Sequence, residues 1–147
     1  MCFHKKNNFL MFIPHRYPFL FVDKVIDFKK KNYLISKVTL HSKKFFSGHF
    51  PKNPIFPGVY ILESMMQSAG ILVGISCVNF FSKKKIYYLV CIQNAKFKKN
   101  VFPNDIIYIK ILFLKSFNNF FKFQGYAYVK NFLVCEATFT LYIKNNF

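Results

Sequence analysis

Over residues 33–40 the chain reads YLISKVTL, and apolar and polar side chains alternate. That two-residue period belongs to a strand with one buried face. A partly alternating run over residues 19–28, after the proline-punctuated turn in HRYPFLFVDKVIDF, predicts an earlier strand. Four β-rich runs follow in the second half, over residues 86–97, 106–116, 120–130 and 132–143. KNVFPND and SFNN supply turns between them, and Lys130–Asn131 reads as a tight reversal. Between the two groups of strands the pattern changes. KNPIFPG is a loop, because each proline removes a backbone donor and biases its predecessor away from helix. A helix then begins near Gly58 and runs into the mid-70s, favoured by its Met, Leu, Ala and Gln. A short helix is also expected within the first 13 residues. One long oily helix and about six strands, mostly joined as hairpins, predict an α+β layout: an antiparallel sheet curving around a helical core. No repeat or low-complexity linker interrupts the chain, so residues 1–147 read as a single domain.

Composition narrows this picture. The chain is 53% hydrophobic, with 22 phenylalanines and nine tyrosines, which excludes disorder. Its formal charge is +17, from 22 basic and five acidic residues. A partner rich in negative charge would account for that. So would coding drift in an AT-rich genome, since Lys, Asn, Ile, Phe and Tyr abound while Arg16 is the single arginine. The lysines are scattered in twos and threes with no recognition helix, so nucleic-acid binding is not expected. Residues 59–78 have the length of a membrane span, but Glu63, Ser64, Gln67, Ser68 and Ser76 lie within it. A helix buried in a soluble core fits better. Cys2, Cys77, Cys91 and Cys135 show no ligand spacing and read as reduced, mostly buried thiols in a cytosolic protein.

The chemistry gathers in GHFPKNPIFPGVYILESMMQ, residues 48–67. Only two glutamates occur, and one of them, Glu63, interrupts the oily helix. A buried carboxylate needs a partner or a proton. Gln67, one turn on, is placed to hydrogen-bond it. His49 is a base candidate in the preceding loop, although a loop histidine is more often unremarkable. Gly58, at the helix start, offers a backbone N–H without a helical partner. Acid, base and donor are the parts of acid–base chemistry beside a carbonyl.

IPHRYPFLFVDKV (residues 13–25) and GHFPKNPIFPGVYILESMMQ closely resemble the two signature stretches of the bacterial 3-hydroxyacyl-[acyl-carrier-protein] dehydratases of the FabZ family. The resemblance continues through YYLVCIQNAKFKKNVFPND and CEATFTLYI. It implies the hot-dog fold and the conversion of (3R)-3-hydroxyacyl thioesters to trans-2-enoyl thioesters, without metal or other cofactor. By the same resemblance His49 is the catalytic histidine, Glu63 the catalytic carboxylate, and Gly58 the donor to the thioester carbonyl. Tyr88 matches an aromatic that gates the acyl tunnel, and Met66, in place of the usual alanine, bears on tunnel width. Asn104 stands for the usual Gly of a Pro-Gly-Asp turn, and Asn100 for a Pro. Glu63, where the sister FabA group has Asp, points to dehydration without isomerisation. A cytoplasmic homodimer is implied, each His facing the partner's Glu, with three dimers assembling to a hexamer. Acyl carrier protein is the expected partner, with Lys98 and Lys99 as expected contacts. A thioesterase of the same fold is the rival reading; it would release the carrier thiol.

Overall fold

The computed structural model describes residues 8–40, 46–76 and 85–145. A 3₁₀ turn, Asn8–Phe12, is followed by β1 (Lys24–Lys29), β2 (Tyr33–Thr39), α1 (Gly58–Ser76), β3 (Lys85–Phe97), β4 (Ile106–Phe117), β5 (Phe120–Val129) and β6 (Phe132–Asn145). All strands join one sheet in the order β1-β2-β4-β5-β6-β3, and every neighbouring pair is antiparallel. The sheet curls around α1, which is the hot-dog arrangement expected from the sequence.

The alternation read along the strands is the alternation of burial. Leu34, Ser36 and Val38 of β2 point inward, as do Ile107, Ile109 and Ile111 of β4, Phe123 and Ala127 of β5, and Ala137, Phe139 and Leu141 of β6. They meet Ile61, Met65, Ala69, Ile71 and Leu72 of α1. Burying this apolar area is the main favourable term in folding. The polar side chains that argued against a membrane span are satisfied internally. Ser64 donates to Tyr60 O and Ser68 to Ser64 O, each at 2.7 Å, while the Ser36 and Ser68 hydroxyls lie 2.7 Å apart. Although α1 is long and apolar enough to cross a bilayer, most of it is buried inside this sheet.

Turns follow the sequence closely. Lys130 and Asn131 both take positive φ, 48° and 68°, the conformation a two-residue hairpin needs to match strand twist. Asn104 has φ 68°, so it adopts the left-handed conformation usually left to glycine.

One strand is shorter than its pattern suggests. Residues 19–23 were expected to open the first strand, yet β1 begins at Lys24. The backbone of this segment is engaged from the side by Gln67 of α1: Phe21 N–H donates to Gln67 Oε1, and Gln67 Nε2 donates to Phe19 O, each at 2.9 Å. With those groups taken up by a side chain, the segment straps α1 and meets the β2 backbone only at Asp23, whose N–H donates to Lys37 O at 3.0 Å. The expected early helix is only the 3₁₀ turn Asn8–Phe12, the residues before it lying outside those described. Cys135 is buried, and burial, with the Glu136 charge beside it, pushes its thiol up to about 12. Cys91 is exposed, contrary to the expectation of buried thiols; Cys2 and Cys77 lie outside the described residues.

Close approach of the 3₁₀ turn to α1 depends on Gly74. A Cβ there would lie 2.6 Å from Phe12 Cβ, an atom tied to the backbone that cannot swing aside. Replacing a helical Gly by Ala gains up to about 1 kcal/mol in propensity, whereas overpacking costs about 1–3 kcal/mol. Gly74→Ala is therefore expected to lower stability by about 1–2 kcal/mol, measurable by denaturant titration.

Candidate active site

The loop before α1 is stiffened by short-range bonds. His49 N–H donates to Phe46 O at 3.2 Å, Ile55 N–H to His49 O at 2.9 Å, and Phe56 N–H to Val101 O at 2.7 Å. Phe50 and Asn53 exchange backbone hydrogen bonds across the bend between them. This frame presents a half-buried His49 whose ring stacks on Phe50 at 4.1 Å. His49 Nδ1 lies 3.1 Å from Ile55 O. A carbonyl only accepts, so Nδ1 carries the hydrogen and Nε2 of the neutral ring holds the lone pair. In that tautomer Nε2 is the nitrogen able to accept a proton.

Gly58, directly after Pro57, opens α1, which places its amide among the first of the helix, where no helical carbonyl one turn earlier can accept and the helix dipole is positive. A Cβ on residue 58 would fall 2.6 Å from Cε1 of Phe97, so glycine lets the end of β3 close over the helix start. Farther along, Val59, Glu63 and Met66 lie at i, i+4 and i+7, one stripe of the helix that this sheet does not fully cover.

Glu63 is largely enclosed, its side chain 16% exposed. Burial pushes its carboxyl above the ordinary range, against a smaller opposing pull from the Gln67 hydrogen bond. The i+4 contact expected from the sequence is present: Gln67 Nε2 donates to Glu63 Oε1 at 2.9 Å. His49 is not within ion-pair distance of Glu63 in the single chain. The histidine that is there is His15, with Nε2 3.4 Å from Glu63 Oε1. Sequence reasoning passed over His15, although it stands inside the IPHRYPFLFVDKV stretch; its position against a helix nearly 50 residues away is a product of the fold.

Tyr88 lies on β3, 46% exposed, its ring 6.4 Å from Tyr142 of β6. Met66 is partly buried against the core. Lys98 is already engaged, its Nζ 3.1 Å from Glu136 Oε1, and Lys99 Nζ sits 3.8 Å over the Phe132 ring. An exposed ion pair of this kind contributes little and exchanges readily for another anion. Among the described residues no three His, Cys, Asp or Glu side chains cluster as a metal site.

A family model described as a FabA-like domain matches residues 13–138. The 3-hydroxyacyl-[acyl-carrier-protein] dehydratase FabZ of Buchnera aphidicola subsp. Schizaphis graminum is 43% identical over 141 residues, 95% of this chain and 92% of the relative. The FabZ of Actinobacillus pleuropneumoniae serotype 5b is 46% identical over 127 residues, 85% of this chain and 81% of the relative. Among solved structures, the dehydratase heterocomplex ApeI:P of Xenorhabdus doucetiae superposes with TM-score 0.82 at 17% identity, covering 94% of this chain and 91% of that one. A hypothetical thioesterase with coenzyme A from Streptococcus pneumoniae gives TM-score 0.61 at 14% identity, covering 84% and 86%. At such identities these two structures speak for the fold alone. With the family match across most of the chain and FabZ relatives aligned over nearly all of it, the chain belongs to the FabA-like family and, within it, to the FabZ 3-hydroxyacyl-[acyl-carrier-protein] dehydratases.

Proposed function

We propose that this chain dehydrates (3R)-3-hydroxyacyl thioesters carried on acyl carrier protein in fatty acid biosynthesis, with His49 as base, Glu63 as acid and the Gly58 N–H on the thioester carbonyl. The observation that carries the assignment is Glu63, a carboxyl whose burial favours its protonated form. His49 Nε2 takes the C2 proton, which is acidic because the thioester delocalises the charge left behind. The Gly58 amide, at the positive end of α1, stabilises the enolate-like oxygen. Glu63 gives its proton to the C3 hydroxyl, the C3–O bond breaks, and water leaves. The C2–H electron pair becomes the C2–C3 double bond, and the thioester stays intact. His49 has gained one proton and Glu63 lost one, so exchange with solvent resets both. The phosphopantetheine arm belongs to the substrate, and no other cofactor takes part.

Within one chain His49 and Glu63 form no ion pair, which supports a site built by two copies. Strand β3 supplies a surface for that pairing. It is the last strand of the sheet, ten of its 13 residues are exposed, and they include Tyr88, Leu89, Val90, Ile92 and Phe97. A long apolar edge strand of this kind is a template for pairing with another strand. We read the protein as a cytoplasmic homodimer joined along this edge, three dimers forming a hexamer, with Tyr88 and Met66 bordering the acyl tunnel.

Enoyl absorbance in the ultraviolet tests the activity. Adding 3-hydroxyacyl thioester should produce it without release of carrier thiol; thiol release without enoyl signal would favour thioester hydrolysis instead. The same assay across a salt series tests the carrier contact. Reaction with carrier-bound substrate should weaken as salt screens attraction to the basic surface, including Lys98 and Lys99, while substrate on a small neutral thiol should change little. Equal salt dependence for both would assign the +17 charge to drift.

A further inference from the structure

Two side chains approach one oxygen of Glu63, Gln67 through a hydrogen bond and His15 at a longer distance. Gln67 is fully committed: its Oε1 accepts from Phe21 N–H, and its Nε2 donates to Phe19 O and to Glu63 Oε1, each at 2.9 Å. Because a backbone N–H can only donate, the amide cannot be turned over, and the NH₂ end faces Glu63. His15 Nε2 approaches that same Oε1 at 3.4 Å, long for a hydrogen bond; contacts at active sites often tighten only once substrate binds. Its other nitrogen, Nδ1, is buried with no partner among the described residues. A proton on Nδ1 would be a buried donor without an acceptor, which is costly. Burial first, and then the positive charge of Arg16, push the His15 ring below the ordinary imidazole range and so favour its neutral form. Arg16 is itself folded back on the turn, donating to Ile13 O and His15 O.

We propose that His15 is a positioning residue which, as the neutral ring protonated on Nε2, holds Glu63 Oε1 as an acceptor and so confines the catalytic proton to Oε2. Two donors on Oε1 leave Oε2 the oxygen able to carry a hydrogen toward substrate. A positively charged ring in the same place would instead stabilise the ionised carboxylate and disarm the acid. His15 and His49 are thus opposite tautomers, the first an Nε2–H donor and the second an Nε2 base. This inference rests on Glu63 being the acid; near-normal turnover in Glu63→Gln would sink that assignment, whereas the tests below keep Glu63 intact.

Nitrogen-15 histidine spectra of the unaltered protein near neutral pH read the tautomer directly, the His15 signal being assigned by its loss in His15→Gln. A neutral ring with hydrogen on Nε2 is expected; an imidazolium, or hydrogen on Nδ1, overturns the proposal. Kinetics supply the second readout. Misplacing a reacting group can cost up to about a hundredfold, so His15→Leu should lower kcat by about ten- to a hundredfold with KM within about twofold. Loss of a donor to the carboxylate should also move the alkaline limb of the kcat profile upward. His15→Gln, whose amide can restore a neutral donor, should recover kcat to within about threefold of the unaltered enzyme. Equal losses in both variants with an unmoved alkaline limb, or no loss in a folded His15→Leu, overturn the proposal. Should His15→Leu not fold, the tautomer and the His15→Gln kinetics decide.

Discussion

His49→Ala and Glu63→Gln should each leave a folded protein with almost no dehydratase activity. In the proposed roles each removes a proton carrier that acts in the transition state, and such groups contribute about a hundred- to ten-thousand-fold to rate. Glu63→Gln is the sharper of the two. Glutamine keeps the side chain's shape and can still accept from Gln67 Nε2, so only the transferable proton is lost. Stability should follow with a known sign. The Glu63 pKa is raised in the folded state, so its contribution is fully present below the ordinary carboxylate pKa and is lost as pH rises through the folded value. Glutamine does not titrate, so near neutral pH Glu63→Gln should match or exceed the parent in thermal midpoint. The parent's kcat should fall on the alkaline side as Glu63 ionises. Near-normal turnover in a folded Glu63→Gln protein would remove Glu63 from the role of acid.

Mixing the two dead variants should revive activity. If His49 of one copy works with Glu63 of the other, a heterodimer collects both defects in one site and none in the second. Random reassociation makes about half the dimers mixed, and each mixed dimer has one of two sites intact, so about a quarter of parental activity should return. That is a rise from near zero. A site contained within one subunit would give no recovery, since every site would carry a defect. The measurement needs proof of subunit exchange, for example by native mass spectrometry of differently tagged variants. Exchange without activity would rule out the shared site.

The sequence by itself determined the elements and the chemistry that depends on neighbours along the chain. Burial of every second residue is a local signal in a strand, so β2 and β4–β6 were legible to within a few residues. Prolines and Gly58 punctuate the start of α1, and the i+4 spacing of Glu63 and Gln67 is a property of any helix. The GHFPKNPIFPGVYILESMMQ stretch carried the family and with it the choice of His49, Glu63 and Gly58.

What the tertiary structure decided involves partners far apart in sequence. Residues 19–23 look like a strand because their apolar pattern is right, but Gln67 of α1 bonds Phe19 O and Phe21 N–H, and no local period encodes that. Lys98 looked available to a partner until the β3–β6 pairing brought Glu136 beside it. His15 looked like a turn residue until packing of the strap on α1 set its Nε2 against Glu63. Local patterns report which side of an element is buried. Which side chain meets which across the core is settled only when the sheet closes around the helix, because hydrogen bonds and charge contacts act over a few ångströms of space and take no account of distance along the chain.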